Sequence, residues 1–174
     1  KVEKEKLSPT SLKKICPKPY SRTERIDESL DKNMSLIRGN LIHSLFEKLS
    51  KVENSKRQIV AKNIAKIHFP ELKKNYVEGA IAETLSVMRA KENQRFFSRE
   101  ARFEINIVDT LEGIGTINGK IDCLLITDKE IEIVDFKTDR NPPKSVSEVS
   151  AAYIMQLGIY SSLIQGSFPD LPIF

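Results

Sequence analysis

The sequence predicts an α/β (α+β) domain, with a core sheet flanked by helices and preceded by a helical region. Three observations lead there. Apolar residues recur at helical spacing from Asn33 to about Lys91, the period drops to two from Phe103, and helical spacing returns after Pro143. At 174 residues, with 40% hydrophobic against 30% charged residues, the chain suits one soluble globular domain with a real core rather than two.

The segment from Lys1 to about Asp31 mixes charges with Pro9, Pro17 and Pro19 and reads as an arm or linker. The domain is expected over residues 32–174, helical over 32–93 and strand-rich over 94–174. Met34, Ile37, Leu41, Leu45 and Leu49 mark a first helix, and Ile59, Val60, Ile64 and Ile67 a second that starts near Ser55 and stops at Pro70. A third runs from Leu72 to about Lys91. Phe103, Ile105 and Ile107 then alternate with Glu104 and Asn106, which is the half-buried pattern of a strand. Gly113 and Gly115 mark a turn, Ile117 to Ile126 and Ile131 to Lys137 are two further strands, and Lys129-Glu130 is their hairpin corner. After Asn141-Pro142-Pro143 a helix from about Ser147 to Gln165 carries Val149, Tyr153, Gln156 and Tyr160, and Leu171 to Phe174 begins a last strand. No internal repeat is visible.

Composition excludes several functions. With only Cys16 and Cys123, the chain cannot assemble a disulfide framework, a four-cysteine zinc site or an iron–sulfur cluster by itself. No apolar run approaches the roughly 20 residues that span a bilayer, so no membrane partner is expected. The net charge of +4 favours a polyanion only mildly. Because the chain opens at Lys1 rather than Met, a fragment of a larger protein is expected, with later core elements beyond its C-terminal end. The run Gly113-Ile114-Gly115-Thr116-Ile117-Asn118-Gly119-Lys120 fits neither a P-loop nor a dinucleotide loop, which need Gly at Ile114 or Asn118.

The chemistry is expected around Asp135 and Lys137. On a strand these two side chains share one face about 7 Å apart. A hairpin would bring the Asp122 carboxylate towards that of Asp135, and two close carboxylates repel unless a cation sits between them. Hard oxygen donors suit Mg²⁺, with Mn²⁺ as a substitute, and such an ion acidifies water and polarises a phosphoryl oxygen. A neighbouring lysine can position or deprotonate the water or neutralise transition-state charge. An isolated Asp-x-Lys ordinarily does no more than face solvent.

This one is accompanied, in order along the chain, by Arg38-Gly39 with His43, Glu100, Gly119 with Asp122, and Gln156 with Tyr160. Together with Asp135-Phe136-Lys137-Thr138, the set resembles the RecB-type nucleases of the PD-(D/E)XK superfamily, and within them the C-terminal nuclease domain of AddA-type helicase-nuclease subunits. The resemblance runs from about Leu7-Ser8-Pro9 to the Pro169 region. It implies a restriction-endonuclease-like core and a metal-dependent DNA nuclease acting in double-strand-break repair and recombination. By the same likeness His43, Asp122 and Asp135 bind the metal, Lys137 is catalytic, Glu100 matches an acidic position, and Gln156 and Tyr160 match a Gln-x-x-x-Tyr motif. The implied partners are DNA, single-stranded by expectation, the helicase portion of a parent chain and a partner helicase-nuclease subunit. The implied setting is the bacterial cytoplasm, at the nucleoid.

Individual residues carry plainer alternatives. Arg38 either binds phosphate or pairs with Glu47 or another acid. Gln156 and Tyr160, four apart on one helix face, either bond a phosphate or hold the catalytic strand, and Tyr160 also fits a core position. Gly39, one turn before His43, leaves space for a neighbouring group. His68 belongs to a helix's last turn, where it complements the dipole, and Cys123 is a small core residue. The rival functions are a non-catalytic nucleic-acid-binding scaffold of the same fold and a standalone repair nuclease.

Overall fold

The computed structural model describes residues 26–111, 115–138 and 142–174, with side chains from Asn33 onward, Leu111 excepted. Residues 1–25 of the expected arm, with Leu7-Ser8-Pro9 and Cys16, lie outside the described residues, as do Gly113 and Asn141. Three helices come first: α1 (Ile26–Leu49), α2 (Arg57–His68) and α3 (Lys74–Arg89). The first starts well before Asn33, inside the expected arm, because Ile26 and Leu30 extend the helical spacing upstream of Met34. Leu41, Ile42, Leu45, Phe46 and Leu49 are 0–4% exposed, and Ala61, Ile64, Ala80, Ile81, Leu85 and Met88 of α2 and α3 close over them. Burying each of the larger side chains contributes about 1.5–3 kcal/mol. Thr84, fully buried among them, donates its hydroxyl to the Ala80 carbonyl at 2.8 Å, so no polar atom is stranded. His68 closes α2, ahead of Phe69, whose N–H reaches the Ala65 carbonyl, and Pro70.

A 3-10 turn (Lys91–Phe97) leads into an antiparallel sheet of β1 (Ala101–Leu111), β2 (Gly115–Ile126) and β3 (Ile131–Val134), in that order. The β2–β3 corner is Thr127–Glu130, closed by Thr127 N–H to the Glu130 carbonyl at 3.0 Å. After a second short 3-10 turn (Val146–Glu148), α4 (Ala151–Ser167) begins a few residues later than expected, because Ser150 caps it by accepting from the Ala152 N–H. The chain then returns to the sheet. Ile131 and Ile133 donate to the carbonyls of Pro172 and Phe174, and the Phe174 N–H bonds back to Ile131, so the C-terminal residues run parallel to β3. A helix crossing between parallel neighbours is the connection such pairing requires. Among the described residues no helix is long and apolar enough to cross a membrane.

Away from the exposed far end of β1 and β2, the sheet is covered on both faces, and the faces exchange partners part-way along. Ile105, Ile107 and Ile121 pack with Tyr160 and Ile164 of α4, whereas Phe103, Cys123 and Leu125 pack on the opposite side with Phe96 and Phe136. Strict alternation would put Phe103 with Ile105 and Cys123 with Ile121. The switch falls at Glu104, whose φ of +54° lies in the left-handed region and which drops out of the ladder opposite Asp122. A non-glycine residue held there costs on the order of 1–3 kcal/mol and persists only where its surroundings over-determine it.

Candidate active site

Four elements converge on the break in the sheet: α1, β1, the β2–β3 hairpin and α4. The register ends at Cys123↔Val134, with Asp122 and Asp135 the next residue on each side of the hairpin. The expected strand through Lys137 nevertheless stops at Val134. The Phe136 N–H, which a continuing ladder would spend on backbone, instead donates to the Asp122 carboxylate at 2.8 Å. The Phe136 ring lies against Phe46, at 4.3 Å between centroids, and near Phe97 and Phe103. Anchored by ring and N–H together, Phe136 leaves Asp135 and Lys137 in contact with each other.

Asp135 is nearly buried and is held from two sides, by the Lys137 ammonium and by the Gln156 amide, which donates to it at 3.1 Å. Gln156 also donates to the Tyr160 hydroxyl at 3.3 Å and accepts from Lys137 Nζ at 3.4 Å. The Lys137 ammonium rests 4.4 Å above the Tyr153 ring, a cation–π contact. Tyr153, Gln156 and Tyr160 thus act from one face of α4. In the sequence Tyr153 stands only as a position on this helix, although its spacing of three and seven from Gln156 and Tyr160 marks it as their neighbour.

His43 reaches this place from α1, its Nδ1 lying 3.3 Å from the Asp122 carboxylate. The hydrogen bond that the imidazole donates to Asp122, against the opposing effect of burial, raises the imidazole pKa above its ordinary 6.5, helped by the charges of Asp122, Glu104 and Asp135. Gly39, one turn earlier, lets another part of the site pack close against α1. A Cβ there would stand 3.1 Å from the Thr138 hydroxyl, in the segment that follows Lys137.

Among the described residues, donor atoms of His43, Glu104 and Asp122 lie within 4.8 Å of one another. One imidazole and two carboxylates form a donor set that fits a hard divalent cation such as Mg²⁺ or Mn²⁺. Glu104 was missed in the sequence, where it stood as a polar residue alternating with Phe103 and Ile105, and left-handed backbone leaves no mark in composition. Asp135, expected in the metal set, is engaged by Lys137 and Gln156 beside that group. Glu100 is not brought to it. The register Ala101↔Leu125 puts residue 100 some four residues past Asp122, about 13 Å along a strand. There Glu100 is exposed, and a hydrogen bond from Ser98 holds its carboxyl below the usual range. Arg38 pairs with an acid, Glu83 rather than Glu47.

Gly119 is required for this arrangement. A Cβ on it would meet the Tyr160 ring at 2.7 Å and the hydroxyl at 2.9 Å, and Tyr160, 8% exposed, has no room to retreat. Gly119→Ala is expected to cost about 1–3 kcal/mol, each kcal/mol lowering the melting temperature by roughly 2–4 °C. Thermal denaturation measures it, and an unchanged midpoint would mean that Tyr160 is free to move.

An imidazole, carboxylates and a lysine gathered at the end of a hairpin define a class of site suited to metal-assisted hydrolysis. The sequence profile of the PD-(D/E)XK nuclease superfamily matches residues 6–171, and the chain belongs to that superfamily. The mixed α/β architecture, a three-stranded antiparallel sheet flanked by helices, agrees with its fold. No curated protein matches the chain significantly.

Proposed function

We propose that this chain is a Mg²⁺-dependent deoxyribonuclease of the RecB type, most similar to the nuclease domain of AddA-like helicase-nucleases. The supporting observation is His43, delivered by a helix far upstream to within 3.3 Å of Asp122. A histidine from a preceding helical region separates this type from an Asp-x-Lys hairpin alone. A divalent cation, when bound, would supply Lewis acidity and make water a better nucleophile at neutral pH. His43 and Asp122 would hold it, and the resemblance adds Asp135. The Lys137 ammonium donates to the attacking water or to a phosphoryl oxygen as charge builds there. Water adds to phosphorus, one P–O ester bond breaks, and the departing oxygen takes a proton. Gln156 and Tyr160 hold Asp135 and Lys137 in place, and Arg38, committed to Glu83, is not assigned a phosphate.

The further reading is a single-stranded substrate delivered by a helicase portion of a longer chain, with a second helicase-nuclease subunit, in double-strand-break repair and recombination at the bacterial nucleoid. It rests on the resemblance of the ordered motifs. Incubation with labelled single- and double-stranded DNA is the test. Cleavage with Mg²⁺ or Mn²⁺ that EDTA stops is expected, faster on single strands. Binding without cleavage under any metal would favour the non-catalytic scaffold.

A further inference from the structure

Glu104 lies outside the family motifs, yet its carboxylate faces the same space as His43 and Asp122. Two features set it apart from an ordinary strand residue. Its backbone leaves the ladder in a left-handed conformation, opposite Asp122, and its side chain is largely covered although it is charged. Its partner is a cation. Lys120 Nζ donates to Glu104 at 2.7 Å from one strand over, while the lysine itself is half exposed. A covered carboxylate needs a positive charge, and a flexible, solvated ammonium is one that a divalent ion can replace.

We propose that Glu104 is a ligand of the divalent cation in this chain, and that Lys120 holds its carboxylate until the cation enters. This rests on the metal-dependent reading above and adds a third protein donor to His43 and Asp122. Displaced from Glu104, the Lys120 ammonium is left at the mouth of the site, where a DNA phosphate would approach.

Calorimetric titration of the full chain with Mn²⁺ tests both halves without relying on cleavage. Glu104→Gln is expected to weaken Mn²⁺ binding tenfold or more, and Lys120→Met to tighten it several-fold, because a competing cation is gone. Glu104→Gly removes the carboxylate while suiting the positive φ, so it gives the same answer if the glutamine variant folds poorly. Mn²⁺ affinity within twofold of wild type in a folded Glu104 variant overturns the ligand assignment, and unchanged or weaker binding by Lys120→Met overturns the placeholder. Asp122→Asn separates the two levels. If it too leaves Mn²⁺ affinity unchanged, the metal site itself is wrong; if it alone weakens binding, only the Glu104 assignment fails.

Discussion

Lys137→Ala is expected to lower the rate of DNA cleavage by roughly 10²- to 10³-fold, the loss that follows removal of one charge-stabilising donor from a catalytic site. The side chain is about one-third exposed, which suggests a small effect on stability, but its partner is not. Asp135, with a side chain 8% exposed, would keep only the Gln156 amide, and leaving a nearly buried carboxylate short of a partner costs about 1–3 kcal/mol. Lys137→Met keeps the aliphatic stem beside Tyr153 and removes the charge, so it isolates electrostatics from packing. Single-turnover cleavage measured beside thermal melts checks both parts. Wild-type rates in folded Lys137→Met would take the lysine out of the chemistry.

Asp122→Asn should weaken Mn²⁺ binding by at least the 10- to 100-fold that loss of a mere outer-shell partner produces, since it removes an anionic donor outright. The fold should survive, because the amide oxygen can still accept from the Phe136 N–H that the carboxylate now holds at 2.8 Å. The same change alters the response to pH. In the wild type the Asp122 hydrogen bond raises the His43 pKa above 6.5, so the protonated pair stabilises the metal-free fold fully below about 6.5, and that contribution is lost as pH rises through the raised value. Metal needs the neutral imidazole, so Mn²⁺ affinity should fall as pH drops through that raised pKa, and residual binding by Asp122→Asn should persist to lower pH. Calorimetry across pH 5 to 8, roughly the range in which histidine titrates, reads both effects. A pH profile identical in the two proteins would separate His43 from Asp122.

Much of the helical scaffold was readable because it obeys one short-range rule: Leu41, Leu45 and Leu49 recur at the helical period, and those are the fully buried positions. The hairpin was equally local. The turn at Thr127–Glu130 and the apolar runs beside it pair β2 with β3, down to Cys123 opposite Val134, next to Asp122 and Asp135. Boundaries were less legible: α4 begins where Ser150 can cap it, and β3 ends where a backbone N–H finds a side-chain acceptor from the neighbouring strand. Neither competing partner is visible in periodicity.

The sequence by itself determined the order of helices and strands, the β2–β3 hairpin beside Asp122 and Asp135, the pairing of Gln156 with Tyr160 on one helix face, and membership of a nuclease superfamily, because each depends on near neighbours or on ordered motifs. Tertiary structure alone decided which acid joins His43 and Asp122. The chain points to Glu100 and gives no sign of Glu104, but the register of β1 against β2 carries Glu100 away along the sheet, while a left-handed residue turns the strand over at Glu104. Strand register and backbone reversal are fixed by contacts between segments distant in the chain, so the donor set they assemble exists only in the folded molecule.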